Sequence, residues 1–149
     1  MQYKVYLSGE IHSNWRSDIV EACVVKKLPV EFMTPVTDHD ASDEVGAKIL
    51  GNEMQNFWKD HKAAKINTIR IQNGIAKADL VVIMFGEKYR QWNAAFDAGQ
   101  AAAMGKPYIV IHPEEFTHAL KEVDAQAMAV AKEPYQVVQI LEYLCRDYV

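Results

Sequence analysis

The chain has 149 residues, of which 50% are hydrophobic and 24% are charged, a composition typical of a globular domain. A chain of this length buries enough surface to fold without a disulfide or a metal, so we expect one domain over residues 1–149. The net charge of −4 argues against general binding to nucleic-acid backbones, which requires a basic surface. The first residues begin a strand pattern instead of a signal peptide, and no apolar run approaches the length of a membrane span. We therefore expect a cytoplasmic protein with no membrane partner.

Predicted strands and helices alternate from the N-terminus. We expect a strand from Tyr3 to Ser8 that ends at Gly9, a helix over 13–27 with Ser13 as its N-cap, and a strand over 30–33. Residues 34–51 are polar and acidic, and this pattern predicts a long loop with room for a helical turn. A short helix over 52–61 and a longer one over 65–77 are expected to follow.

The second half of the chain contains its strongest strand pattern, the unbroken apolar run from Asp79 to Phe85. Such a run indicates burial on both faces, as in a parallel sheet. A helix is predicted from Trp92 to Met104, with Gly105 as the residue that ends it. The remaining predicted elements are strands over 107–112 and 127–131, a short helix over 113–121, and a final helix from Pro134 to about Tyr148.

This alternation predicts an α/β fold, a flavodoxin-like doubly wound sheet of about five parallel strands with helices on both faces. Such sheets bind ligands beyond the carboxyl ends of their strands, where the strand order reverses. Three segments are expected there, namely residues 9–16, residues 86–93 and the stretch that begins at His112.

Asp97 is the most informative residue of the sequence. It is a lone carboxylate in a helix of small and apolar residues, and one face of that helix must be buried. A buried acid costs free energy unless it is bound or used, which favours a functional role. The alternative is an acid near the start of the helix that complements the helix dipole.

The segment that follows the first strand contains small and polar residues at the start of a helix. Its backbone amides can approach a ligand, and the N-terminus of a helix favours an anion. Arg16 and Ser13 could hold a phosphate or a sugar hydroxyl there. The candidate binding residues are Ser8, Gly9, Glu10, Ser13 and Arg16. The alternative is an ordinary turn capped by Ser13.

The segment that follows the central strand combines aromatic, cationic and amide side chains. Trp92 or Tyr89 could stack on a flat base, and Asn93 could hydrogen-bond to its edge. The candidate binding residues are Gly86, Tyr89, Arg90, Trp92 and Asn93. The alternative is a solvated loop with Trp92 in the core.

Side chains that commonly bind metals are concentrated in one stretch, which contains Asp38, His39, Asp40, Asp43 and Glu44. Their spacing is less regular than hard-cation loops require, so we expect a solvated acidic loop and no metal site. Nothing in the sequence indicates a cofactor. Cys23 and Cys145 lie far apart in helical patterns, and we expect both to be free thiols.

Three segments together resemble the nucleoside 2-deoxyribosyltransferase superfamily, and most closely its small YtoQ-type bacterial branch. Residues 4–9 resemble the opening strand and glycine turn of that family, and residues 78–83 resemble its central strand. Residues 96–101, followed by the Gly-Lys-Pro turn at 105–107, resemble the segment that carries the family's nucleophilic Glu.

This resemblance implies an enzyme whose carboxylate attacks the anomeric carbon of a 2-deoxynucleoside or its 5′-monophosphate. The base leaves, a glycosyl-enzyme ester remains, and a second base or water then takes the sugar. By position, the nucleophile of this chain is Asp97. Sites in the family are often completed by a neighbouring subunit, which implies a homo-oligomer.

The sequence departs from the family pattern at three places. Asp97 is one methylene shorter than the family's Glu. The family usually has Gly and a small residue just before the aromatic residue, where this chain has Asn93 and Ala94. The family's second acid falls near Ile71, where no acid is present, so Glu10 or Glu87 would have to serve. An alternative function is therefore a non-catalytic protein that binds a nucleotide-like ligand as a sensor or regulator.

Overall fold

The computed structural model describes residues 2–146. Within them, five strands form one parallel sheet in the order β2-β1-β3-β4-β5. The strands are β1 (Tyr3–Gly9), β2 (Val30–Met33), β3 (Leu80–Met84), β4 (Tyr108–Ile111) and β5 (Ala129–Ala131). The predicted doubly wound α/β fold is confirmed, and its strand order is the flavodoxin-like one.

The described helices cover both faces of the sheet. They are α1 (Trp15–Val25), α2 (His39–Leu50), α3 (Asn56–Lys77), α4 (Trp92–Ala103), α5 (Lys121–Gln126) and α6 (Pro134–Leu144), with a 3₁₀ helix over Glu114–Phe116. One apolar core lies between the sheet and helices α1 and α6. The other lies between the sheet and helices α3 and α4. Alternate residues of β1 point into opposite cores, which is why the strand is apolar throughout.

The prediction of a loop over 34–51 is wrong, because most of this segment is helix α2. The Asp38 side chain caps the helix by accepting a hydrogen bond of 2.7 Å from the backbone N–H of Ala41. The helix packs closely on α3, since a Cβ on Gly46 would lie 2.6 Å from the Ala63 nitrogen. Small residues make this contact, so the sequence carries no apolar stripe to reveal the helix.

Other predicted boundaries also shift. The two helices expected over 52–61 and 65–77 are one continuous helix, α3. The helix expected over 113–121 is a 3₁₀ turn followed by α5. Asn14, not Ser13, occupies the N-cap position of α1, and no side chain caps it. Helix α6 ends at Leu144, so its expected extension over 145–146 is wrong, and the rest of the extension to Tyr148 lies outside the described residues.

Several local predictions are confirmed. Gly105 follows α4 with a φ of 67°, the left-handed conformation expected of a glycine that ends a helix. Pro134 is the first residue of α6. Cys23 and Cys145 are free thiols, although only Cys23 is buried. No helix within residues 2–146 is long and apolar enough to cross a membrane.

Candidate active site

A cavity of about 460 Å³ lies at the carboxyl ends of β1 and β3. The two strands are neighbours in the sheet, but β1 leads to α1 on one face and β3 leads to α4 on the other. This divergence opens a crevice, which is where doubly wound sheets bind ligands. The volume lies within the range of small-molecule sites, about 300–1,000 Å³.

Asp97 lies in the wall of this cavity and is only 8% exposed. It is the sixth residue of α4, beyond the first turn, so the alternative of an acid that complements the helix dipole is wrong. Its Oδ2 accepts a hydrogen bond of 2.5 Å from the Ser8 hydroxyl. Burial raises the pKa of Asp97 above its ordinary value, and the bond from Ser8 opposes this shift.

Ser8 lies beneath the cavity and does not line it. It is fully buried on β1, and its backbone pairs in register with Ile83 of β3. Tyr6 projects from the same face of the strand two residues earlier. Its buried Oη has no hydrogen-bond partner among the described residues. Burial raises the pKa of this phenol, and the nearby Asp97 carboxylate adds to the shift.

The β1–α1 loop, residues 10–14, begins after a close approach between two strands. Gly9 has a φ of 107°, and a Cβ there would lie 2.1 Å from the Met84 carbonyl oxygen. The next residue, Glu10, is 4% exposed and lines the cavity. Its carboxylate accepts hydrogen bonds from the His12 backbone N–H and the Ser13 hydroxyl. Both oxygens are therefore engaged within the loop.

Arg16 holds the same loop from behind. Its guanidinium donates to the backbone carbonyls of Leu7, Gly9 and Glu10. Burial lowers the pKa of Arg16 to about 10, and Glu10 partly offsets that shift. The Trp15 indole N–H also donates to the Glu10 carbonyl, at 2.7 Å. Arg16 and Ser13 therefore stabilise the loop, and neither of them lines the cavity.

The β3–α4 loop, residues 85–91, forms the opposite side of the cavity. Tyr89, Arg90 and the helix residue Asn93 line it. The ring of Tyr89 lies 4.7 Å from the ring of His12, centroid to centroid, and so connects the two loops. Arg90 forms no ion pair with any residue in the described part of the chain.

Two of the candidate binding residues in the segment 86–93 do not line the cavity. Trp92 is 74% exposed and outside the cavity wall, so the alternative that placed it in the core is wrong. Gly86 is buried beside the cavity, where a Cβ would lie 2.4 Å from Cγ of Glu10. Gly86 therefore allows the two loops to approach each other.

A third side of the cavity was missed by sequence reasoning. It is formed by residues that precede α2 and by residues of α2 and α3, namely Pro35, Val36, His39, Ser42, Asn67 and Ile71. His39 pairs with Asp43 one turn later, at 2.8 Å. The available signal was Asp38, a preferred N-cap residue ahead of a stretch without proline.

The two candidates for a second acid differ in position. Glu10 lines the cavity, whereas Glu87 is exposed and outside its wall. Ile71, near which the family resemblance places the second acid, does line the cavity. The cavity also contains two histidines that were not among the predicted site residues, His12 and His39. Histidine transfers protons near neutral pH, so these rings add acid–base capacity.

The acidic stretch that could have suggested a metal is used in helix α2. Asp38 caps it, and Glu44 pairs with Lys59 of α3. Within residues 2–146, no three His, Cys, Asp or Glu side chains converge in a way that could hold a metal ion.

The protein is thus a doubly wound α/β protein with a buried carboxylate in the cavity where the strand order reverses. A family model described as Nucleoside 2-deoxyribosyltransferase YtoQ matches residues 6–145. The chain is 46% identical over 144 residues to an uncharacterized protein YtoQ of Bacillus subtilis, with 97% of each chain covered. The chain therefore belongs to the nucleoside 2-deoxyribosyltransferase YtoQ family.

Solved structures share the fold. A 2-deoxyribosyltransferase of Bacillus psychrosaccharolyticus matches with a TM-score of 0.56 and 17% identity, over 98% of this chain and 99% of that one. The CMP N-glycosidase BcmB of Clostridium botulinum matches with a TM-score of 0.55 and 15% identity, over 94% and 98%. A conserved protein of Enterococcus faecalis matches with a TM-score of 0.60 and 15% identity, over 97% and 99%. At these identities the similarity shows a common fold.

Proposed function

We propose that the protein cleaves the N-glycosidic bond of a 2-deoxynucleoside or its 5′-monophosphate and passes the sugar to a second base or to water. The observation that carries this proposal is the position of Asp97, a nearly buried carboxylate in the wall of a cavity of nucleoside size. Family membership supports the reaction class. The activities named for two proteins of the same fold, deoxyribosyl transfer and N-glycoside hydrolysis, support it as well.

In the first step, an oxygen of Asp97 attacks the anomeric carbon and the carbon–nitrogen bond breaks. The bonding electrons leave with the base, which takes up a proton, and a glycosyl ester of Asp97 remains. In the second step, an acceptor base or water attacks the same carbon and releases the carboxylate. Only the ionised carboxylate can attack, so the raised pKa of Asp97 implies that, as pH is lowered, activity falls at a higher pH than an aspartate of ordinary pKa would allow.

The proton for the departing base has three candidate sources in the cavity. Glu10 is one, but both of its oxygens already accept hydrogen bonds within its own loop. His12 and His39 are the others. A histidine is a suitable general acid near neutral pH, and we assign the proton transfer to this pair before Glu10.

The β3–α4 loop is proposed to hold the rest of the substrate. The Tyr89 ring offers a stacking surface for the base, and the Asn93 amide offers hydrogen bonds to its edge. The guanidinium of Arg90 can pair with a 5′-phosphate. Trp92 and Arg16 do not line the cavity, so we assign them indirect roles. Trp92 acts as part of α4, and Arg16 stabilises the β1–α1 loop.

The protein is proposed to act as a homo-oligomer. Trp92 and Phe96 are one turn apart on the helix that carries Asp97, and they are 74% and 64% exposed. Exposed aromatic side chains in one patch are typical of interfaces between subunits. Light scattering coupled to size exclusion should give a mass above that of one chain, and Trp92→Ala should reduce it.

The direct test is base release. Purified protein and Asp97→Asn are incubated with 2′-deoxynucleosides and their 5′-monophosphates, with and without an acceptor base, and free base is measured by chromatography. We expect the substitution to lower turnover by about a thousandfold or more, because it removes the nucleophile. Unchanged turnover in the Asn variant would contradict the assignment of Asp97.

A non-catalytic ligand-binding protein is the second candidate. The observation in its favour is that Ile71, near which the family resemblance would place a second acid, is an apolar residue in the cavity wall. In that case no base is released even when the protein is in excess of the substrate. A nucleotide-like ligand at a hundred times its dissociation constant should still stabilise the fold by about 2.7 kcal/mol.

A further inference from the structure

Ser8 and Asp97 form a buried pair that joins the central strand to the helix of the cavity. The Ser8 hydroxyl donates to Asp97 Oδ2 at 2.5 Å, and the serine itself is fully buried. Ser8 does not line the cavity, so its hydroxyl is not accessible to a substrate held there. A role of Ser8 in direct substrate binding is therefore disfavoured, although the sequence suggested one.

The two oxygens of Asp97 have different surroundings. Oδ2 accepts the short bond from Ser8, whereas Oδ1 has only a contact of 3.5 Å with Gln100 Nε2, at the limit of a hydrogen bond. Oδ1 is therefore the less strongly engaged of the two oxygens. Ser8 lies on a central strand, and its backbone is held by the sheet. Its hydroxyl therefore restricts the rotation of the Asp97 carboxylate.

We infer that Ser8 is the positioning residue of the nucleophile, because its hydroxyl holds Asp97 Oδ2 and leaves Oδ1 to attack the anomeric carbon. This inference rests on the proposed function. The bond from Oδ1 to carbon forms as the carbon–nitrogen bond breaks, and the electron pair and a proton go to the base. Oδ2 becomes the carbonyl oxygen of the ester, so it can keep its hydrogen bond from Ser8 through the reaction.

The Ser8 hydroxyl also acts on the charge of the nucleophile. A hydroxyl bonds more strongly to an ionised carboxylate than to a protonated one, so Ser8 opposes the rise in pKa that burial causes. Removing the hydroxyl should therefore raise the pKa of Asp97 further. A residue that only filled space in the core would not change this titration.

The kinetic test compares Ser8→Ala with the wild type over a range of pH. Loss of the hydroxyl should lower kcat/KM by about ten- to a hundredfold, since a misplacement of about 1 Å can cost a hundredfold. The acidic limb of the pH profile should also move to higher pH. Ser8→Cys keeps the volume and a weak donor, so its loss should be smaller. Ser17→Ala removes an exposed serine hydroxyl of α1 and serves as the control with wild-type kinetics.

A second measurement does not depend on turnover. The carboxyl carbon of Asp97 is followed by NMR in protein labelled at aspartate, and Asp97→Asn identifies its signal. In Ser8→Ala, or in Ser8→Cys if the alanine variant does not fold, the signal should titrate at higher pH than in the wild type. An unchanged titration, or a pH profile that does not move, would overturn the inference.

Failure of the proposed function has a different signature. If the wild type releases no base from any substrate, the catalytic role of the pair falls together with the function, whatever the NMR titration shows. If the wild type is active and Asp97→Asn is not, but Ser8→Ala keeps wild-type kinetics, only the assignment of Ser8 falls.

Discussion

The two loops that face each other across the cavity are built in opposite ways. The β1–α1 loop is held by many hydrogen bonds, from the Arg16 guanidinium, the Trp15 indole and its own Glu10 carboxylate. The β3–α4 loop has few, among them a bond of 3.0 Å from the Gly86 N–H to the Gln91 side chain. Its side chains at Tyr89 and Arg90 are exposed and face the cavity.

This difference matches what the proposed reaction would require of each side of the cavity. Ser8, near the end of β1, holds Asp97 of α4, and chemistry at one carbon atom requires a fixed geometry. The opposite loop offers a ring and a guanidinium that can adjust to a ligand and bury it. Binding energy gained there can hold the substrate against the rigid side.

The largest effect on stability is expected from Arg16→Ala. This substitution removes the donor to the carbonyls of Leu7, Gly9 and Glu10, and hydrogen bonds of charged groups contribute most when partly buried. We expect the free energy of unfolding to fall by about 3 kcal/mol. Denaturant titration would measure it.

Arg90→Ala is the matched control, because it removes the same side chain from the sparsely bonded loop. Its unfolding free energy should stay within about 0.5 kcal/mol of the wild type. Equal losses in the two variants would show that the two loops do not differ in rigidity.

The contact between the loops is tested by Gly86→Ala. A methyl group there would lie 2.4 Å from Cγ of Glu10, whose carboxylate is pinned by its own loop and cannot easily move. We expect a destabilisation of about 1–3 kcal/mol, typical of overpacking. Gly99→Ala is the control, since no atom lies within 4 Å of its added Cβ, and this change in a helix should stabilise by about 1 kcal/mol. A Gly86→Ala variant that is as stable as the wild type, or is stabilised as the control is, would contradict close contact between the loops.

The smallest effect concerns the cost of the buried acid. Because the pKa of Asp97 is raised on folding, its protonated form favours the folded state, and ionisation costs stability as pH rises through the folded pKa. Asp97→Asn should therefore stabilise the protein at neutral pH, by about 1 kcal/mol or roughly 2–4 °C. The gain should shrink as pH falls and vanish below the unfolded pKa, about 3.9. Thermal unfolding at several pH values measures it, and a gain that is the same at every pH would contradict this origin.

Periodicity and composition by themselves determined the fold class and the main candidate residue. The apolar runs of β1, β3 and β4 can be buried only in a sheet covered on both faces. Asp97 is conspicuous in the sequence because it is a lone acid in a helix of small and apolar residues, where burial of a charge costs free energy. These inferences depend on local patterns, and local patterns are visible in the sequence.

The tertiary structure alone decided which of the candidates meet. Helix α2 packs on α3 through the small residues Gly46 and Ala47. The side of the cavity that contains His39 therefore has no helical pattern of apolar residues in the sequence. The charge of Arg16 suggested a phosphate ligand, but in the fold its guanidinium donates to backbone carbonyls. Ser8 contacts Asp97 across 89 positions of sequence. Such partnerships depend on distances between elements far apart in the chain, which neither spacing nor composition encodes.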